Sequence, residues 1–282
     1  MQKHSLIDET YNLHNSEHYQ VSLQVLPDSI SYVVLDSVRK KYILLKHFLI
    51  SEKDTSFHEL CKLFESEELL CAPLQSFRAF YYTEKTTLIP SAFSLKEKTG
   101  QLLSFNYGEN SDLIFQNCSA SFDATLAYSI PNDIIELLNK NKCFSIYPHA
   151  LTILSETHKI SQQKDKQTGM VVCLLNSFAE VAVIENSKLL LFNNFSFKTV
   201  DDLSYYLVYL YDLFHFDKEK TPITITGITE KNDIRITTLE KFIKTIQYTK
   251  SNSQHIYSYR FNEIPQHHFS NLFILPYEDY KR

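Results

Sequence analysis

The chain has 282 residues, 44% hydrophobic and 22% charged, with a formal net charge of -5, the balance of a soluble globular protein with room for one large domain or two ordinary ones. The acidic sign argues against a nonspecific nucleic-acid binder, which needs clustered Lys and Arg to neutralise phosphates. No window approaches 18 uninterrupted apolar residues, so no helical membrane span is expected.

After a polar lead-in, three apolar strands joined by short polar turns are expected over residues 19–48. An amphipathic helix follows, with Phe57, Leu60, Cys61 and Phe64 at helical spacing. Strands are expected at 77–83 and 87–89, a helix near 95–105 after Pro90-Ser91, and two more strands at 113–118 and 124–130. Pro131-Asn132 opens a helix through Ile134, Leu137 and Leu138. A short strand at 143–146 then meets Pro148, which opens a helix through Leu151 and Leu154. The polar stretch 159–169 ends in Gly169 and marks a boundary, giving an N-terminal domain over 1–160 and a C-terminal one over 161–282. A second set of three strands is expected at 171–177, 179–184 and 189–195. Thr199-Val200-Asp201-Asp202 reads as a capping box opening a helix to about residue 216. A strand at 223–226, Gly227, and a helix near 239–248 complete the pattern. Meander, helix, strand and helix therefore occur twice, which predicts two similar mixed α/β lobes with a cleft between them.

Several residue types bear on chemistry. Cys61, Cys71, Cys118, Cys143 and Cys173 form no CxxC and are odd in number, so they read as free thiols of a cytoplasmic protein. The opening residues 1–9 show no apolar core like that of a secretory signal. Only Gly100, Gly108, Gly169 and Gly227 occur, far below the usual level of about 7%, and loops that wrap phosphates rely on glycine. His14 and His18 are spaced i, i+4 but lack a Cys or acidic partner at a diagnostic spacing, and His267-His268 has no more support. No metal site is expected. The chain has no Gly-x-Ser-x-Gly elbow, P-loop or dinucleotide fingerprint.

The helix after Thr199 carries one apolar stripe of Leu203, Tyr206, Leu207, Leu210 and Phe214, and a second side of Tyr205, Val208 and Tyr209. Helices apolar all round are ordinarily buried by their own domain, the first reading here. The second is a partner surface at Tyr205 and Tyr209, because exposed aromatics mark interfaces.

The element order, with Leu35-Asp36-Ser37-Val38-Arg39, residues 42–48, residues 87–93 and residues 188–197, resembles the actin-like ATPase superfamily, within it an uncharacterised bacterial family. The resemblance implies a duplicated ribonuclease-H-like fold that binds ATP between its halves. It implies a nucleotide site at Asp28, Ser29, Asn176, Ser177, Thr226 and Gly227. The motifs of active relatives are degenerate. The first turn, Leu26-Pro27-Asp28-Ser29-Ile30, has no glycine, and Pro27 removes a backbone donor. The second, Asn176-Ser177-Phe178-Ala179, has no carboxylate to favour Mg²⁺. Tyr147-Pro148 stands where relatives carry Glu-Pro, and the strand ending Thr226-Gly227 keeps a single glycine. The expected function is a non-catalytic scaffold for a protein partner, without a cofactor. The alternatives are an ATPase or phosphotransferase using Mg-ATP, or a small-ligand module in the cleft.

Overall fold

The computed structural model describes residues 2–51, 55–94, 98–108, 111–143, 145–163, 168–230, 232–250 and 256–273. The first part of the chain forms β1 (Gln2–Ile7), β2 (Tyr19–Val25), β3 (Ser29–Asp36), β4 (Lys41–Leu49), α1 (Ser56–Ser66), α2 (Glu68–Cys71) and β5 (Ser76–Tyr81). An excursion follows through β6 (Thr86–Pro90), α3 (Thr99–Tyr107), β7 (Leu113–Ser119) and β8 (Ala124–Ile130), whose strands make a separate three-stranded sheet. The chain returns through α4 (Asn132–Lys140) to β9 (Ser145–Pro148) and α5 (Ala150–Ser161). The second part forms β10 (Gly169–Leu174), β11 (Phe178–Glu185), β12 (Lys188–Ser196), α6 (Val200–Leu213), β13 (Ile223–Thr226), α7 (Ile234–Leu239), β14 (Ile246–Tyr248) and β15 (Ile256–Tyr257).

The two main sheets repeat one topology. The first runs β1-β4-β3-β2-β5-β9 and the second β12-β11-β10-β13-β14. In each, an antiparallel meander is followed by two strands added parallel to its first strand. The likeness extends to single residues. β3 and β11 each have eight residues and each breaks register after the sixth, at Val34/Leu35 and Val183/Ile184. The turns close alike, with Leu26 N donating to Ser29 O and Leu175 N donating to Phe178 O, both at 2.9 Å. That register aligns Asp28 with Ser177, rather than with Asn176, and Gln24 with Cys173.

The strands are apolar on both faces because both faces are covered. On β10 and β11, Val171, Cys173, Ala182 and Ile184 join the core that fills the first lobe. The alternate residues, Val172, Leu174, Val181 and Val183, pack with Leu203, Leu207 and Leu210 of α6. This is the period of two expected of strands. α5 is buried along nearly its whole length and packs on β10 and β11, so one apolar core runs through both halves. The other face of the first sheet is covered by residues 261–273, where Phe261, Phe269, Leu272 and Phe273 pack on Val33, Leu35, Tyr42 and Leu45.

Four sequence expectations change. The lead-in is β1, an antiparallel partner of β4. It escapes notice because Leu6 is its one large buried apolar residue. The helix expected at 239–248 is instead the short α7 followed by β14, since Ile246-Gln247-Tyr248 supplies a parallel partner to β13 and suits a strand. The helix expected at 95–105 is α3, Thr99–Tyr107, with 95–97 outside the described residues. Within the polar stretch 159–169, α5 reaches Ser161, and 164–167 lie outside the described residues. Residue 144 of the strand expected at 143–146 also lies outside them, and the observed strand is Ser145–Pro148. Among the described residues no helix is long and apolar enough to cross a membrane.

Candidate functional site

The matching hairpin turns bring their tips to one cleft. Its cavity, of about 190 Å³, is lined by Asp28 and Ser29 from the first turn, Asn176 from the second, Gly227 after β13, and His268 and Asn271 from the end of the chain. Four of the six residues expected at a nucleotide site therefore meet. Ser177 lies outside the lining, its carbonyl accepting from Phe197 N at 2.9 Å. Thr226 is wholly buried, and its hydroxyl meets Ser270 Oγ at 2.8 Å. Gly227 has φ +95°, and a Cβ there would stand 2.5 Å from the Leu174 carbonyl oxygen, so a side chain is excluded on both counts.

The polar groups that face the cleft are largely engaged by the protein itself. Gly227 N donates to His267 O at 3.1 Å. His268 Nε2 meets Thr229 O at 2.8 Å, and His267 Nε2 meets Thr229 Oγ1 at 2.9 Å. Burial, reinforced by neighbouring His268, lowers the pKa of His267 and favours its neutral form. Asp28 is the one carboxylate among the described lining residues, a poor donor set for Mg²⁺ bound to phosphates.

Beneath this cavity lies a polar cluster that sequence patterns did not single out. His149 immediately precedes α5, its amide donating to Tyr81 O at 2.8 Å. Its ring reaches inward, with Nδ1 2.5 Å from Glu180 Oε2 and Nε2 2.8 Å from Asn271 Nδ2. Asn271 Nδ2 also donates to Gln24 Oε1. His149, Cys173 and Glu180 are all at most 1% exposed, and one ligand atom from each lies within 4.8 Å of the others. Burial drives the Cys173 thiol pKa well up, and the Glu180 and Asp28 charges add to it. Tyr147-Pro148 carries no charge at position 147. The side chain that enters the cluster belongs to His149 two positions on, whereas the Tyr147 ring packs on Phe80 at 5.9 Å. The available signal was a histidine at a helix start, too common to single out.

A second cavity, of about 440 Å³, lies beside the first turn and is lined by Leu26, Tyr82, Glu84, Lys85, Tyr107 and Asp112 among others. Lys85 Nζ meets Asp112 Oδ2 at 2.9 Å on its wall. On the far side of the second sheet, Tyr205 and Tyr209 are 66% and 52% exposed and stack with centroids 6.2 Å apart. Burial by their own domain, the first expectation for them, does not occur: α6 buries Leu203, Ser204, Leu207, Leu210 and Tyr211, and Val208 packs partly on the same core, while the two tyrosines face away from it.

Solved structures show the same fold. A Bacteroides thetaiotaomicron VPI-5482 protein with an actin-like ATPase fold and unknown function matches with a TM-score of 0.76 at 17% identity, over 85% of this chain and 94% of that one. The PilM-PilN type IV pilus biogenesis complex contains a chain that matches with a TM-score of 0.62 at 9% identity, over 90% of this chain and 96% of its own. The fold is therefore the actin-like ATPase fold, with mixed sheets duplicated as the residues suggested. No curated protein matches by sequence. With residues 8–246 matched by its profile, the chain belongs to the family described as Protein of unknown function (DUF3822).

Proposed function

We propose that this protein is a non-catalytic actin-like scaffold that binds another protein. The observation that carries the reading is the occupation of the cleft by the chain's own end. His267 O takes the Gly227 amide, Ser270 takes the Thr226 hydroxyl, and Asn271 reaches across to Gln24 and His149. What is left, about 190 Å³, is below the range of about 300–1,000 Å³ of ordinary ligand pockets. Position 177, aligned with Asp28, offers a hydroxyl where a second carboxylate would serve a metal. The PilM-PilN complex supports the scaffold reading by analogy, as an assembly of two named proteins in which this fold occurs.

The reading divides the molecule into lobes over 1–160 and 161–282, with residues 256–273 returning to the first sheet. It expects no cofactor, takes Tyr205 and Tyr209 as part of the partner surface, and places the protein in the cytoplasm, where its five cysteines, none of them in a disulfide, would stay reduced. Calorimetric titration of the full chain with Mg-ATP tests it. The expected result is no saturable heat and no melting shift, whereas binding at 100 times the dissociation constant would add about 2.7 kcal/mol. Micromolar binding with turnover would replace the scaffold reading by the ATPase or phosphotransferase one.

A further inference from the structure

We infer that His149, Cys173 and Glu180 form a buried binding site for a zinc-class divalent cation. Cys173 and Glu180 are directly paired residues on β10 and β11, so their side chains leave the same face of the sheet. That face packs on α5, and His149 at the start of α5 completes the set. One imidazole nitrogen, one thiol sulfur and one carboxylate oxygen come within 4.8 Å of one another. Zinc bonds of about 2.3 Å to sulfur and about 2.0–2.2 Å to nitrogen and oxygen put tetrahedral ligand atoms about 3.3–3.7 Å apart. The cluster reaches that geometry if the 2.5 Å His149–Glu180 contact opens by about 1 Å, any separation near the 4.8 Å limit closes by about as much, and the cation sits between the three atoms.

The donor set selects the metal. A mixed nitrogen, sulfur and carboxylate site suits zinc, whereas Mg²⁺ and Ca²⁺ call for oxygen donors. The surroundings are compatible with a metal-bound histidine. Asn271 is 2% exposed, yet its Oδ1 has no hydrogen-bond partner among the described residues. If the amides of Asn271 and Gln24 turn end for end, Oδ1 accepts from His149 Nε2–H and from Gln24. His149 Nδ1 is then left unprotonated and aimed at the cation, the usual outer arrangement of a metal-bound histidine. Cys173 also lines the central cavity, which has room for a water as the fourth ligand. The site does not depend on the scaffold reading. It would fasten α5 to the second sheet and, through Asn271, to the end of the chain.

The test uses the purified full-length protein, stripped with a chelator and titrated with Co²⁺ as a spectroscopic probe. One equivalent should bind per chain, with a thiolate-to-cobalt charge-transfer band that Zn²⁺ displaces. Cys173→Ala should abolish the band although the other four cysteines remain, and Asn271→Ala should weaken binding by about tenfold or more. No cobalt binding by the wild type would overturn the site in favour of a simple buried histidine–carboxylate pair. A band unchanged in Cys173→Ala would also overturn it, by placing the ion on another thiol. If the variants do not fold, X-ray absorption on the zinc-loaded wild type decides. A shell of one sulfur with nitrogen and oxygen supports the site, and a shell with no sulfur, or several, rejects it.

Discussion

Asp8 ties both ends of the described chain to the first sheet. It is 2% exposed at the end of β1, with Lys41 Nζ 2.7 Å from its Oδ2 and the Thr10 hydroxyl 2.6 Å from its Oδ1. Burial alone raises its pKa, but hydrogen bonds from Lys41, Ser258 and Thr10 outweigh that and hold the carboxyl below the usual carboxylate range. The folded pKa is thus below the unfolded value of about 3.9. Its contribution to stability is full above about pH 5 and is lost as the pH falls toward the folded pKa. Asp8→Asn should cost roughly 1.5–3 kcal/mol at neutral pH, as expected for a charged hydrogen bond. Melting curves of both proteins should converge below about pH 4, and a gap that stayed constant down to pH 3 would contradict the account. Nothing in residues 1–9 announces this role, because both Lys41 and Ser258 are brought to Asp8 only by folding.

α6 shows what an element's own residues can and cannot reveal. Its start was legible in full: Thr199 Oγ1 accepts from Asp202 N at 3.1 Å, and Asp202 Oδ2 accepts from Thr199 N at 2.9 Å. The stripe of Leu203, Leu207 and Leu210 was legible too, since helical spacing puts these residues on one face. The fate of the other side was not, because the pattern is the same whether a second layer covers it or solvent does. Tyr205 and Tyr209 prove exposed, whereas Tyr211 is wholly buried and donates to Thr221 O at 2.9 Å. Tyr205→Ala combined with Tyr209→Ala should change stability by less than about 0.5 kcal/mol per site. Tyr211→Ala should cost about 3–5 kcal/mol, by comparison with other large buried aromatics. Chemical denaturation measures both. Loss of a captured partner by the double variant, with an unchanged melt, is the outcome the scaffold reading expects.

For the molecule as a whole, one core passes through both halves. Val171, Cys173, Ala182 and Ile184 of the second sheet belong to the same cluster as Val21, Leu23 and Tyr32 of the first, joined through α5. The end of the chain adds a second tie, resting Phe269 and Phe273 on the first sheet while His267 and Ser270 bind the strand end at Thr226-Gly227. Domains joined this way should unfold together. We expect a single thermal transition, coincident by circular dichroism and tyrosine fluorescence. Phe269→Ala should lower it by the equivalent of about 3–5 kcal/mol without splitting it. Two separated transitions would show that the halves are independently stable and that the shared core contributes little.

The amino-acid sequence by itself determined the duplicated meander, the mixed α/β class and the residue types at the two hairpin turns. Each of these rests on local information: apolar runs bounded by turn residues, a capping box, the absence of glycine from Pro27-Asp28 and Asn176-Ser177, and the absence of a carboxylate from Asn176-Ser177. Only the tertiary structure decided what fills the cleft and what lies beneath it. Gln24, His149, Cys173, Glu180 and Asn271 come from five separate segments. Cys173 and Glu180 share a hairpin, but no spacing rule connects that pair to Gln24, His149 and Asn271. Their meeting depends on how α5 and residues 258–273 pack between the two sheets, a choice governed by burial of apolar surface rather than by any local pattern.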